Sequence, residues 1–196
     1  MCGGQFPANT MSTAFEMLGI SPMGMNGVPA EDPRKDEVAR ECGCLVMKLL
    51  ASGLTPRQIV TRKALLNAIA GVVATGGSTN AVLHFLAMVW EAGVRLSIDD
   101  FDRISRRTPV LPDLKPSGRY TAPDMHCAGG MGLVAQRLLE AGLIHPDLLT
   151  VTGRTIGEEA QDARETTGQD VIRPLADPLK KSGALIILRG NLAPEG

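Results

Sequence analysis

Two apolar helical patterns joined by a glycine-rich turn constrain the fold of this chain most strongly. Residues 62–75 and 81–92 each carry apolar side chains at helical spacing, which predicts two packed helices. The turn between them reads Gly76-Gly77-Ser78-Thr79-Asn80. It is either a tight helix–helix connection with Ser or Thr as the cap, or an anion site formed by free backbone N–H groups. From the residues alone, the structural interpretation is favoured.

The rest of the chain alternates helical patterns with short apolar runs. Further helices are predicted at residues 11–18, 33–51, 97–105, 130–141 and 155–165. Short strands are predicted at residues 109–111, 148–151 and 184–188, the last being the most continuous apolar run. Residues 19–32 are rich in Gly, Pro and Met and predict a packed loop. This order favours an α/β class, a helix-rich domain around a small, mostly parallel sheet.

Length and composition indicate an ordinary globular protein. The 196 residues fit one domain, with 44% hydrophobic and 21% charged residues. A formal net charge of −1 gives no reason to expect nucleic acid or an anionic membrane as a partner. No run of about 18 apolar residues suggests a membrane span. Four cysteines without secreted-scaffold spacing favour reduced thiols and a cytoplasmic location.

The beginning of the chain carries the strongest candidate for metal chemistry. Cys2 is followed by Gly3 and Gly4 and then by a helical pattern. Glycines let the backbone approach whatever the sulfur binds, and a helix N-terminus lowers the pKa of a nearby thiol. Such a thiolate suits a metal or an iron–sulfur cluster. A small buried residue in a tight turn is the alternative, and spacing alone favours it.

Other candidate sites are weaker. Cys42 and Cys44 lie about 200° apart around a helix, so they are interpreted as packing or surface residues. The acidic pair Asp99-Asp100 is interpreted as facing solvent at a helix start, where it complements the helix dipole. His84 is interpreted as a core or interface histidine rather than a ligand. Residues 124–130 place Asp, His and Cys before two glycines, which resembles a metal or nucleophile cluster.

Several blocks, in order along nearly the whole chain, resemble the dihydroxy-acid dehydratase (IlvD/Edd) family. The first is the Cys-Gly-Gly segment with its Ala-Asn-Thr-Met run at residues 8–11. The others are residues 76–84, 107–120, 150–155 and 190–196. At residues 124–130 the family commonly has Asp-Leu-His-Arg-Val-Gly-Gly. Asp124, His126 and both glycines match this pattern, whereas Cys127 and Ala128 depart from it.

The resemblance implies an enzyme that dehydrates 2,3-dihydroxy acids to 2-keto acids, and the chain looks more like the branched-chain amino-acid branch. It implies an iron–sulfur cluster ([2Fe–2S] or [4Fe–4S]) with Cys2 as one of its ligands, and Mg²⁺ at the carboxylate end of the substrate. Cys127 would not be a cluster ligand. The resemblance assigns no catalytic residue to this chain. It places these candidates at the lining of the active site: Asn9, Thr10, Gly76, Gly77, Ser78, Thr79 and His126.

The resemblance also implies that the chain is a fragment. Residues 1–182 would form the C-terminal part of the family's N-terminal α/β domain, and residues 183–196 a linker and first strand toward an absent β-barrel domain. The isolated chain is then predicted to be inactive and free of cluster, whereas its parent would form a homodimer. Two alternatives stay open: a fragment of a sugar-acid dehydratase, and a non-enzymatic folding or dimerisation domain.

Overall fold

The computed structural model describes residues 3–196, and it is rich in helix. The described residues form nine helices: α1 (Pro7–Leu18), α2 (Lys35–Ser52), α3 (Pro56–Ile59), α4 (Arg62–Ala74), α5 (Asn80–Ala92), α6 (Ile98–Arg107), α7 (Ala122–Ala128), α8 (Gly130–Glu140) and α9 (Ile156–Gln161). Among these residues, no helix combines the length and the apolar character needed to span a bilayer.

Most of the helix boundaries agree with start and stop signals in the sequence. Thr61 caps α4 by accepting the N–H of Ala64 at 3.2 Å. Thr155 and Glu158 form the predicted capping box of α9. Gly53 ends α2 in the left-handed conformation, with φ of 70°. Helix α7, which carries His126, was not predicted.

Helix α4 lies at the centre of the core. It packs against α1, α5, α6 and α8, and its residues Leu65, Ile69 and Val73 are completely buried. Phe85 of α5 stacks on Phe101 of α6 with ring centroids 6.1 Å apart, which closes one side. The paired helices 62–75 and 81–92 predicted from the sequence are therefore confirmed as core elements.

Helix α2 lies outside this core. None of its residues is buried, although its half-buried positions recur at Val38, Cys42, Leu45 and Leu49. The Cys42 Sγ lies 3.9 Å from the Met25 Sδ, and Cys44 is exposed. The interpretation of both cysteines as packing or surface residues is confirmed.

The small parallel sheet is not confirmed. The apolar runs pair only through isolated bridges within the described residues, and the bridges at Val110, Pro112 and Leu149 are antiparallel. Proline explains part of this, because Pro109, Pro112 and Pro174 lack the N–H that a ladder requires.

Residues 184–188 do not form the predicted strand either. Alternate side chains face inward, with Leu185 buried while Ile186 and Leu188 are exposed. The segment attaches to α4 through the Ala184 N–H, which donates to the Val73 carbonyl at 3.2 Å. An apolar run without a neighbouring strand therefore packs against helices.

Two side chains differ at least in part from their interpretation. His84 is exposed on α5, so it is not a core histidine, and the interface alternative stays a prediction. Asp100 is buried rather than facing solvent. Its carboxylate accepts the Ser97 N–H at 3.0 Å and pairs with Arg62 at 2.9 Å, and these partners hold its pKa low despite the opposing cost of burial.

Candidate functional site

The segment that follows Cys2 packs backbone against backbone beside the start of α7. Cys2 itself lies outside the described residues. The Gly3 carbonyl accepts the Ala122 N–H at 2.8 Å, and the Gln5 N–H donates to the Lys115 carbonyl at 2.6 Å. A Cβ at Gly4 would lie 2.8 Å from that Lys115 oxygen, which leaves room only for glycine. Gly4 therefore permits close approach to the Lys115 backbone, and the predicted approach of the two glycines to a group bound by the Cys2 sulfur stays a prediction.

Thr10 and the Gly76–Thr79 turn meet in the interior. Thr10 is completely buried, and its Oγ1 accepts the Ser78 N–H at 2.9 Å. A Cβ at Gly77 would lie 2.9 Å from the Thr10 Cγ2 and 2.8 Å from the Val72 Cγ1. The contacts of Gly77 and Ser78 support the tight helix–helix connection, because Gly77 permits close packing and the Ser78 N–H already has a partner.

Gln5 and Asn9 tie the start of α1 to its surroundings. The Gln5 Nε2 donates to the Thr13 Oγ1 at 3.0 Å and to the Thr75 Oγ1 at 2.8 Å, linking α1 to the end of α4. The Asn9 Nδ2 donates to the Gly4 carbonyl at 2.6 Å. Both side chains line a cavity.

This cavity, hereafter the α1–α7 cavity, has a volume of about 220 Å³. The cavity is lined by α1, by α7 and by the start of α8, and residues 26–30 with Lys35 complete the lining. Its polar groups include Asn9, Ser12, Glu16, Lys35 and His126. Asn9 and His126, which are 117 positions apart in the sequence, are thus brought to one cavity, whereas Gly76 lines a separate one.

The imidazole of His126 is held as a neutral group. The Arg34 Nη2 lies 3.1 Å from the His126 Nε2. Because a guanidinium can only donate, Nε2 accepts and the ring proton lies on Nδ1. Burial and the neighbouring charge of Arg34 both lower the pKa of His126. Asp32 fixes Arg34 through two hydrogen bonds, at 3.0 and 2.6 Å.

Glu16 is a buried titratable residue of this site that the sequence analysis did not indicate. It is 1% exposed and lies within the apolar run of α1, where a glutamate is unexpected. Burial raises the pKa of Glu16 to about 7, although three backbone N–H groups oppose the shift. A charged residue at a core-facing position of α1 was the sequence signal that could have indicated Glu16.

The described residues do not supply a complete metal or cluster site. Residues 3–196 hold no group of three His, Cys, Asp or Glu side chains that could bind a metal ion. His126 and Cys127 are neighbours, but Cys127 is exposed, and its carbonyl accepts the Thr166 Oγ1 hydroxyl at 2.6 Å. A metal or cluster beside this cavity would therefore need ligands from outside residues 3–196.

Within the described residues, the chain forms a helix-rich domain with a polar cavity lined by α1, α7 and the start of α8. The model of the family "Dihydroxy-acid/6-phosphogluconate dehydratase N-terminal" matches residues 1–159, and the chain belongs to this family.

Named relatives agree with this assignment. The chain is 64% identical to a dihydroxy-acid dehydratase of Koribacter versatilis, and 60% identical to one of Roseiflexus sp. (strain RS-1). It is 54% identical to one of Thermus thermophilus. Each match covers 100% of this chain, but only 34–35% of the relative. The chain thus spans about a third of the length of these curated relatives.

Proposed function

We propose that this chain forms part of the active site of a dihydroxy-acid dehydratase, an enzyme that converts 2,3-dihydroxy acids to 2-keto acids in branched-chain amino-acid synthesis. The observation that carries the proposal is that Asn9 and His126 line one cavity, next to the glycine pair that follows Cys2. Family membership and the names of the relatives support the same reaction.

The polar groups of the cavity suit a small hydroxy acid. The ammonium of Lys35, which donates to the Val28 carbonyl at 2.9 Å, offers a positive charge to a carboxylate. The Asn9 amide can accept from or donate to a hydroxyl group. The Nδ1–H of neutral His126 can donate to a substrate oxygen without adding positive charge. These groups would bind and orient the substrate.

The reaction itself breaks two bonds of the substrate. A proton leaves C2 and hydroxide leaves C3, and the resulting enol becomes the 2-keto acid when a proton is added at C3 and the enol oxygen releases its own. The Nδ1–H of neutral His126 can donate a hydrogen bond to the departing oxygen, while solvent supplies the proton that the hydroxide takes up. Asn9, Lys35 and His126 are assigned only to binding, orientation and this hydrogen bond.

We further propose Cys2 as one ligand of an iron–sulfur cluster in the longer protein, which would also use Mg²⁺. A Lewis acid of either kind can assist loss of hydroxide or acidify the C2 proton. A single thiolate does not complete a cluster, so the chain on its own is proposed to be inactive.

The longer protein is proposed to contain two domains. Residues 1–182 would belong to the N-terminal α/β domain, in which segments beyond this chain would complete the small, mostly parallel sheet. Residues 183–196 would lead toward a β-barrel domain. The enzyme is proposed to be a cytoplasmic homodimer that acts on small molecules. Thr10 and the Gly76–Thr79 turn would support the active site from the interior, since Thr10 is completely buried and accepts the Ser78 N–H.

A chimera tests this function. The matching third of the Thermus thermophilus dihydroxy-acid dehydratase is replaced with residues 1–196, and dehydration is measured with a branched-chain 2,3-dihydroxy acid and with a sugar acid. Turnover of the branched-chain acid supports the proposal. Turnover of the sugar acid alone would assign this chain to a sugar-acid dehydratase, and a folded chimera inactive on both would contradict the proposal.

A further inference from the structure

Glu16 binds the turn that follows α1 through three backbone N–H groups. Its Oε2 accepts the N–H of Gly24 at 2.9 Å. Its Oε1 accepts the N–H of Asn26 at 2.9 Å and that of Gly27 at 3.2 Å. One buried carboxylate therefore satisfies most of the amide donors between residues 24 and 27.

A second buried carboxylate holds the beginning of the same turn. The Glu159 Oε2, on α9, accepts the Met23 N–H at 2.9 Å. The other oxygen of Glu159 accepts the hydroxyls of Thr150 and Thr152, the latter at 2.6 Å. The turn is thus attached to two different helices, with Glu16 on the side of the cavity.

This turn forms the wall of the α1–α7 cavity that faces His126. Asn26, Gly27 and Val28 all line the cavity. A Cβ added at Gly27 would lie 3.5 Å from the His126 Nδ1, so only one side-chain atom would fit between the turn and the ring nitrogen that carries the proton. A small displacement of the turn would change both the width of the cavity and the solvation of His126.

We propose that Glu16 is a positioning residue whose ionised carboxylate holds residues 24–27 against His126, and whose protonation loosens this turn and widens the α1–α7 cavity. The carboxylate accepts three N–H groups with two oxygens. Protonation turns one oxygen into a hydroxyl, which is a donor and a poorer acceptor, so at least one amide loses a good partner. This role goes beyond the proposed function, because it concerns the shape of the cavity rather than its ligand.

The surroundings of Glu16 place this change near neutral pH. Burial is the largest cause of its pKa of about 7, and the negative charge of Glu159 adds to it. Lys35 and His126 are the other charged or titratable groups that line the cavity with Glu16. Because His126 is held neutral, Lys35 is the one cation among these cavity-lining groups in the described structure, and its ammonium is directed to the Val28 carbonyl.

The test is a pH titration of this chain by ¹H–¹⁵N NMR, with Glu16→Gln and the exposed Glu140→Gln as a matched control. In wild type and Glu140→Gln, the amides of Gly24, Asn26 and Gly27 should titrate together with a midpoint near 7. In Glu16→Gln this shared titration should disappear, and these amides should exchange roughly tenfold faster, which corresponds to about one lost hydrogen bond. The His126 midpoint should rise in Glu16→Gln, as its ring becomes better solvated.

Three results would overturn the proposal. The three amides could fail to titrate together in wild type, a measurement that needs no variant. The shared titration could persist in Glu16→Gln. Exchange could accelerate equally at Ile69 and Val73 of α4, which would indicate general destabilisation. An inactive chimera would leave all these titrations in place, so failure of the proposed function is distinguishable from failure of this inference.

Discussion

The guanidinium of Arg34 lies 3.1 Å from the His126 Nε2 and is itself fixed by Asp32. The sequence separates Arg34 from His126 by 92 positions. Their contact joins the segment before α2 to α7 and keeps the imidazole neutral, with its Nδ1 proton toward the turn at Gly27. The tautomer and the pKa of His126 thus depend on Arg34, which lies outside α7.

Removal of Arg34 should restore ordinary titration of His126. Arg34→Met eliminates a neighbouring positive charge and leaves Asp32 to attract a proton, so the pKa of His126 should rise toward its usual value. The measurement is the pH dependence of the His126 imidazole resonances. Arg40→Met, which removes an exposed cation of α2, should leave them unchanged. An unaltered His126 titration in Arg34→Met would contradict the assigned contact.

Gly77 should be intolerant of a methyl group. Gly77→Ala places a Cβ at 2.8 Å from the Val72 Cγ1 and 2.9 Å from the Thr10 Cγ2, and the overpacking should cost about 1–3 kcal/mol. Gly43→Ala is the control, because it lies within α2 with nothing within 4 Å of its Cβ. It should stabilise the chain by about 0.5–1 kcal/mol. Urea unfolding measures the stability of both variants, and equal changes in their unfolding free energies would refute the close packing at Gly77.

The hydroxyl of Thr10 should stabilise the folded chain through its hydrogen bonds. Thr10→Val keeps the shape of the side chain but removes the acceptor for the Ser78 N–H and the donor to the Gln5 carbonyl at 3.3 Å. Leaving these buried groups unsatisfied should cost about 1–3 kcal/mol. Thr167→Val, at an exposed position, should change the unfolding free energy by less than about 0.5 kcal/mol. A Thr10→Val protein as stable as wild type would show that the contact is unimportant.

Glu16 should make stability fall as the pH rises toward neutrality. Its pKa increases from 4.5 to about 7 in the folded chain. Between these values the folded chain keeps a proton that the unfolded chain releases, so its stability falls as the pH rises. Relief of desolvation on protonation outweighs the hydrogen bond that is lost in the turn.

The comparison with Glu16→Gln isolates this effect. Between pH 4.5 and 7, the unfolding free energy of wild type should fall by up to about 3 kcal/mol more than that of Glu16→Gln. Urea titrations at several pH values measure the difference. Parallel pH dependences in the two proteins would contradict the raised pKa.

The sequence predicted the helix ends that are determined by residues close to them in the chain. Thr61, Thr155 and Gly53 carry cap chemistry within three residues of the groups they satisfy, so the helix ends that they cap could be read directly, whereas α9 ends at Gln161 rather than at the predicted residue 165. Residues 184–188 could not be assigned correctly, because an apolar run is compatible with a strand or with packing on helices, and only the neighbours decide. The same holds for residues 109–112, where pairing depends on distant partners and on proline.

The residues of the candidate site also fall into two groups, those that the sequence indicated and those that only the fold reveals. Asn9 and His126 were indicated by their family blocks, and the fold brings both to one cavity. Glu16 and Arg34 were missed because their roles arise from long-range geometry. Glu16 gains its importance from burial, and Arg34 from a contact 92 positions away. A buried carboxylate in an apolar helix face is the one signal that composition and periodicity could have provided.

The most direct test of the account compares Cys2→Ala with Cys127→Ala in the chimera, after anaerobic reconstitution. Iron content, sulfide content and dehydration of a branched-chain 2,3-dihydroxy acid are measured together. We predict that Cys2→Ala loses iron, sulfide and activity, whereas Cys127→Ala, altered at an exposed position, retains all three. Retention of the cluster and activity in Cys2→Ala, or their loss in Cys127→Ala, would contradict the proposal that the segment beginning at Cys2 forms the cofactor side of this active site.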